Sequence, residues 1–242
     1  MDRARVLPAV LDGRRVPAVR LPLELAALHR SLVPGERAEV RVGASQSHDR
    51  LTLLLAGGGF DVDAIAPSED AVVALVTRAR TLPDVVGPGM RLLVCGLNPS
   101  VYAADHGVGY ARPGNRFWPA ALDAGLVRRD RDPYDALEAC GVGMTDLVKR
   151  ATTGAAELSA GEYAAGARRV ERLASWLRPG AVCFVGLAGW RSAVDRRAVP
   201  GPQPAPFGGR PAYVMPSTSG LNAHTSRAEL AAHLAAAAAL GA

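Results

Sequence analysis

The segment GLNPSVYAADHGVGYARPGNRFW (96–118) leaves a short apolar run, RLLVCG (91–96), and at once presents Asn98 before Pro99. A following proline biases the asparagine away from helix, so an amide is held at the edge of whatever sheet the run joins. An amide can hydrogen-bond a water and orient it, but it is not a strong general base. The reaction it serves therefore needs a good leaving group. Without such a reaction, Asn98 is simply a turn residue ahead of proline. Two later segments, 143–153 and 216–224, follow short apolar stretches in the same manner. The first offers Asp146 and Thr152. The second offers the hydroxyls of Ser217, Thr218 and Ser219, a glycine (Gly220) that permits close backbone approach, and Leu221, an apolar residue at a loop tip.

The elements that must position these residues alternate. RLLVCG, AVCFVG (181–186) and AYVMP (212–216) read as buried parallel strands, with a shorter strand or turn at 141–144. Helices are expected over 115–124, 160–177, 187–194 and 226–240. Strands separated by helices imply a parallel sheet covered on both faces, and such sheets bind ligands beyond the carboxyl ends of their strands. The turn formers Leu82-Pro83-Asp84 and Gly87-Pro88-Gly89 mark a break ahead of this unit. Before the break, helices are expected at 23–32, 49–56 (capped near Ser47) and 69–80, with strands at 38–42 and 61–66. That order, α-β-α-β-α, loosely resembles the later half of a class I methyltransferase. No Gly-x-Gly-x-x-Gly follows a strand there, so residues 1–81 are read as an accessory α/β unit with no assigned chemistry.

In order, GLNPS, GYARPGNRFW, GVGMTDLVKRATTGAAELS (141–159) and VMPSTSGLNAH (214–224) resemble the mismatch-specific uracil/thymine-DNA glycosylase family of the uracil-DNA glycosylase superfamily, over about residues 82–242. The resemblance implies a three-layer α/β/α domain that flips a deoxyuridine, or a mispaired thymidine, out of duplex DNA. It would hydrolyse the base–sugar bond without metal or organic cofactor and leave an abasic site for base-excision repair; flipping is how an enzyme reaches a stacked base.

The same resemblance assigns roles. Asn98 holds the attacking water and Thr152 stands beside it. Tyr110 stacks on the extruded base, while Gly96, Leu97, Asn115 and Ser217 help to form the base site. Ser219, Gly220, Leu221, Asn222 and His224 meet the DNA, with Leu221 as the wedge at the vacated step. Backbone donors between Asn98 and Tyr110 would face charge developing on the leaving base. Asp146 occupies a position where some members carry an amide or a lysine. Three roles stay open for it: reading the base's edge, helping to activate water, or capping a helix. This chain has Ser217-Thr218 where relatives often have Asn-Pro, and Ala223 where they have Arg, so mismatch selectivity is not carried over. Phe117 and Trp118 are expected in the core, Asn115 as a brace of the loop, and His224 as a phosphate or capping residue.

Composition bounds these readings. The 242 residues are 49% hydrophobic and 21% charged with 44 glycines and prolines, which fits an ordinary globular domain with or without a small companion and excludes a disordered chain or a coiled coil. Net charge is +5, from 27 arginines and one lysine, Lys149, against 23 acids. Residues 1–86 carry 11 basic and 11 acidic side chains and residues 87–242 carry 17 and 12, so the excess lies in the second part and suits a polyanionic partner. Cys95, Cys140 and Cys183 are far apart and lack Cys-x-x-Cys spacing, which argues against zinc, a disulfide framework or an iron–sulfur cluster. His29, His48, His106 and His233 have no spacing suited to a metal. No signal-peptide pattern or membrane span is readable. The expectation is a cytoplasmic monomer acting on double-stranded DNA with a mismatched or damaged base, with an unidentified partner allowed for residues 1–81. Two other readings fit the same sequence less well. One is a binder of damaged or abasic DNA with little turnover. The other is a nucleotide-binding protein, whose phosphate loop the glycines between Gly107 and Gly114 do not match.

Overall fold

A computed structural model describes residues 9–241. The chain forms two sheets. The first consists of β1 (Ala9–Asp12), β2 (Arg37–Gly43), β3 (Phe60–Pro67) and β4 (Ala71–Arg78) in the order β1-β2-β4-β3. β1 runs parallel to β2, and β4 lies antiparallel between β2 and β3. Helices α1 (Leu21–Ser31) and α2 (His48–Gly57) cover it through Leu25, Leu51 and Leu55. α2 starts where expected, with the Ser47 hydroxyl accepting the Arg50 N–H, the usual way a serine satisfies a free amide at a helix start.

The expected helix at 69–80 is instead strand β4. Val72, Val73, Val76 and Thr77 are β-branched and fit a pleated strand better than a helix. A tight turn, closed by Ser68 N–H to Ala71 O at 2.7 Å, folds β4 back on β3. The order in the described residues is thus β-α-β-α-β-β.

The second sheet contains β5 (Leu92–Gly96), β6 (Val142–Asp146), β7 (Ala181–Val185), β8 (Gly201–Pro202) and β9 (Ala212–Met215), ordered β6-β5-β7-β9-β8. The first four are parallel and β8 adds an antiparallel edge. Further helices are α3 (Val101–His106), α4 (Phe117–Asp123), α5 (Pro133–Cys140), α6 (Ala160–Leu177), α7 (Leu187–Ala193) and α8 (Arg227–Ala239). On one face Val170 and Leu173 of α6 and Trp190 of α7 pack with Phe184. On the other, Phe117, Trp118, Leu230 and Leu234 pack over Val94 and Met215. The result is the expected three-layer α/β/α arrangement. α6 and α8 each begin with a serine–glutamate capping box, Ser159/Glu162 and Ser226/Glu229, which fixes both starts.

The turn-rich break is not a loose connection. Residues 81–87 are buried, and Val85 exchanges backbone hydrogen bonds with Met144 on the edge strand β6 (2.9 and 2.8 Å). No helix of the described residues is long and apolar enough to cross a membrane. Nor do these residues contain a group of His, Cys, Asp and Glu placed to hold a metal.

Candidate active site

β5 is the strand at which chain order reverses: its successor β6 lies on one side and β7 on the other. The crevice beyond its carboxyl end is the natural site of such a sheet, and the 98–101 turn sits there. Backbone bonds stitch it to the segment after β6: Leu147 N–H to Gly96 O and Val148 N–H to Leu97 O, both 2.9 Å, and Thr152 N–H to Pro99 O, 3.2 Å. The first two motifs therefore meet.

Asn98 Nδ2 faces three acceptors: Thr152 Oγ1 at 2.8 Å, Arg150 O at 2.9 Å and Pro99 O at 3.1 Å. Two of these are carbonyls, which cannot donate, so the amide nitrogen must lie on that side. The other end of the amide, Oδ1, is left as an acceptor facing away from the turn. Thr152 is 3% exposed. Arg150, whose carbonyl holds Asn98, is itself tied to Glu162 at the start of α6.

Asp146 ends β6 in register with Gly96. A Cβ on Gly96 would collide with Asp146 Oδ1 and lie 2.9 Å from Tyr110 Oη, so only glycine lets the carboxyl and the phenol converge here. Among the described residues Asp146 caps no helix, and its carboxyl accepts no N–H or O–H, which removes the capping role considered for it. Burial pushes its pKa up to about 6, a push reinforced by Asp84 and opposed by Lys149 and Arg169. The Tyr110 hydroxyl is buried without a hydrogen-bond partner. Its residue has φ of 59°, a left-handed conformation that a tyrosine holds only when its surroundings impose it. One ring face stacks on Phe117, with centroids 4.2 Å apart. Asp146, Tyr110, Thr145, Gly109 and Leu82 line a cavity of about 30 Å³, enough for a water. A buried hydroxyl left unpaired beside a cavity, as at Tyr110, is costly unless a ligand or water completes it.

The third motif is built around a residue the sequence did not single out. Arg116 donates through its guanidinium to the carbonyls of Ser219, Asn222 and Thr225, and its N–H donates to Thr218 O at 2.9 Å. It clamps the 217–225 loop. Asn222, expected at the DNA, also holds the loop, through Nδ2 to Ser217 O at 2.8 Å. Gly220 lies against the Gly114 carbonyl at 2.9 Å from a would-be Cβ, which joins this loop to the 110–115 turn. Leu221 projects from it, 89% exposed. The His224 side chain is exposed and caps no helix. The side-chain Oδ1 of Asn115 accepts the Phe117 N–H (2.9 Å), so it braces the start of α4. Phe117 and Trp118 are core residues, as expected.

Sequence reading also missed a buried ion cluster under β6. Asp84 pairs with Lys149 Nζ (2.9 Å) and Arg169 Nη1 (2.7 Å) and accepts from Thr145 Oγ1 (2.6 Å). Arg169 donates as well to Asp146 O. A single lysine in a chain of arginines was the one available signal.

The family model described as the uracil DNA glycosylase superfamily matches residues 83–240. Among solved structures, the chain is similar to the solution NMR structure of a candidate uracil DNA glycosylase from Methanosarcina acetivorans. Identity is 21% over 66% of this chain and 97% of that one, with a TM-score of 0.46.

Proposed function

The chain belongs to the uracil DNA glycosylase superfamily and is thereby a hydrolase of the N-glycosidic bond in DNA; from that premise we propose that it excises uracil from mispaired duplex by flipping the nucleotide toward Asn98. The observation that carries this reading is the orientation of the Asn98 amide. Its nitrogen is committed to Thr152 and two carbonyls, which leaves Oδ1 to accept a hydrogen from a water.

The C1′–N1 bond breaks with its electron pair going to uracil, the sugar becomes cationic, and the oriented water adds at C1′ while losing a proton to solvent. Because the base departs as an anion, no strong base is needed at Asn98. The nearby donors matter more, since preorganised dipoles aimed at developing charge supply most of such an acceleration. The Tyr110 hydroxyl is one such donor. Asp146 in its neutral form is another, able to donate to a base carbonyl and accept from the adjacent N3–H. Ionised, it would oppose negative charge on the leaving base. Leu221 fills the vacated step, and a G·U mispair is the preferred substrate because a mismatch lowers the cost of flipping.

Duplexes with one central G·U, A·U or G·T pair, treated with the protein and then with alkali, test the proposal. Strand scission at uracil, fastest for G·U, is the expected result. Intact strands despite salt-sensitive binding would replace it with a damage-binding protein.

A further inference from the structure

Two arginines from the first part of the chain stand beside the base site without a carboxylate partner. Arg30, near the end of α1, lays its guanidinium carbon 3.8 Å from the centroid of the Tyr134 ring. Arg78 ends β4 with its Nε buried and unpaired. Among the described residues neither takes part in a salt bridge. Burial draws the Arg78 pKa below its usual value, against the pull of Glu36 and Asp105.

Both arginines line a groove of about 490 Å³, walled by the end of α3 and the start of α5. Gly107 and Pro133 belong both to this groove and to the small cavity beside Asp146 and Tyr110. The groove therefore lies beyond the carboxyl end of the edge strand β6. The Leu221 loop follows β9, three strands away, roughly 14 Å at the spacing of neighbouring strands. Asn98, after β5, stands between them. A DNA strand crossing this end of the sheet passes the wedge on one side of Asn98 and the two arginines on the other.

The other charges in the groove are already engaged. Asp105 is held by Arg80 through two bonds (2.7 and 2.6 Å). Asp132 accepts from Asp135 N–H at 2.9 Å, and Arg131 is paired with Asp130. His106 bonds the Tyr102 carbonyl through Nδ1. That leaves the guanidinium groups of Arg30 and Arg78. Arg78 is half-buried and feels Glu36 and Asp105 without an ion pair to either, Arg30 is exposed over the Tyr134 ring, and phosphate oxygens match a guanidinium's paired donors.

We infer that Arg30 and Arg78 form a subsite for backbone phosphates of the DNA strand beside the flipped nucleotide, which gives the first part of the chain a share in substrate binding. The inference rests on the DNA-directed reading of the site. It accounts for why a part with no net charge is packed against the second sheet through the buried seam at 81–87.

The test is the salt dependence of duplex affinity, by fluorescence anisotropy with a G·U duplex. The wild type is compared with Arg30→Gln/Arg78→Gln, with Arg30→Lys/Arg78→Lys, and with Arg37→Gln, whose side chain is 80% exposed on β2. Each phosphate contact contributes about 0.9 to the slope of log K against log salt. The Gln double variant should lower the slope by about 1.8, so that between 50 and 200 mM salt its affinity falls roughly tenfold less than that of the wild type. The Lys pair should restore most of the slope, and Arg37→Gln should leave it unchanged. An unchanged slope overturns the subsite, including where affinity drops through a general loss of folding. Loss of thermal stabilisation by inorganic phosphate with the duplex slope intact assigns the pair to a free phosphate compound and overturns it too. If the wild type releases no uracil and the slopes still differ as stated, the glycosylase reading fails and the subsite stands.

Discussion

The side-chain amide of Asn98 donates to the hydroxyl of Thr152 across 2.8 Å, although 54 residues separate them in the chain. The contact joins two motifs that lie on neighbouring strands and locks the amide with Oδ1 outward. Thr152→Val keeps the shape and removes one of the three acceptors, leaving the amide held by the Arg150 and Pro99 carbonyls alone and less exactly placed. Base release should fall by about ten- to a hundredfold, the scale on which small misplacements act, with duplex affinity unchanged. Single-turnover kinetics beside an anisotropy titration checks this; an unaltered rate would show that Thr152 does not position Asn98.

Asp146 gives a signed pH prediction. Its raised pKa, about 6, means that the carboxyl is neutral below that pH and ionised above it. An ionised carboxylate beside a base leaving as an anion retards release, so the rate should rise as pH falls through about 6. Asp146→Asn, neutral at every pH, should flatten the profile and exceed the wild type at pH 8. A rate that climbs with pH and is abolished by the same substitution would make Asp146 the base that activates water.

Leu221 is almost fully exposed, so Leu221→Ala should leave the melting temperature alone. If the side chain enters the duplex, its truncation removes about 1–2 kcal/mol of apolar burial, seen as roughly a tenfold weaker hold on abasic or mismatched duplex. Equal affinities would remove the wedge role.

The cluster at Asp84 predicts a stability effect. Burial alone would raise this carboxyl's pKa, but the Arg169 guanidinium, the Lys149 ammonium and the Thr145 hydroxyl outweigh it and the net shift is downward. A carboxylate with a depressed folded-state pKa contributes stability above its unfolded value, near 4, and loses it as pH falls through the folded one. Asp84→Asn strands two buried cations and should cost about 3–5 kcal/mol, read in urea melts at pH 7. The difference from the wild type should shrink in acid. A variant as stable as the wild type would show that the cluster is not an ion-paired unit.

Much of the second sheet could be read in advance because buried parallel strands appear as apolar runs, as in LLVCG and AVCFV, and because serine caps announce α6 and α8. β4 departs from the expected helix for a related reason: AVVALV is apolar at every position, and periodicity alone does not separate a buried strand from a helix. Asn98, Tyr110 and Leu221 were visible as motif residues, and the structure places them around one end of the sheet. Arg116, inside the same GYARPGNRFW motif, and Asp84, in the turn-rich break, carried no sign of their roles. Their roles come from partners across the fold: Arg116 clamps carbonyls some hundred residues downstream, and Asp84 sits in a proline-containing stretch that reads as a loop while its carboxyl meets Lys149 in the segment after β6 and Arg169 on α6.

The central claim is that an asparagine amide orients the water. Single-turnover release of uracil from a G·U duplex by wild type and Asn98→Ala, scored by alkaline cleavage at abasic sites, tests it directly. The account predicts a loss of at least roughly a hundredfold in the variant with duplex affinity and melting temperature unchanged. A variant that releases uracil at the wild-type rate would contradict it.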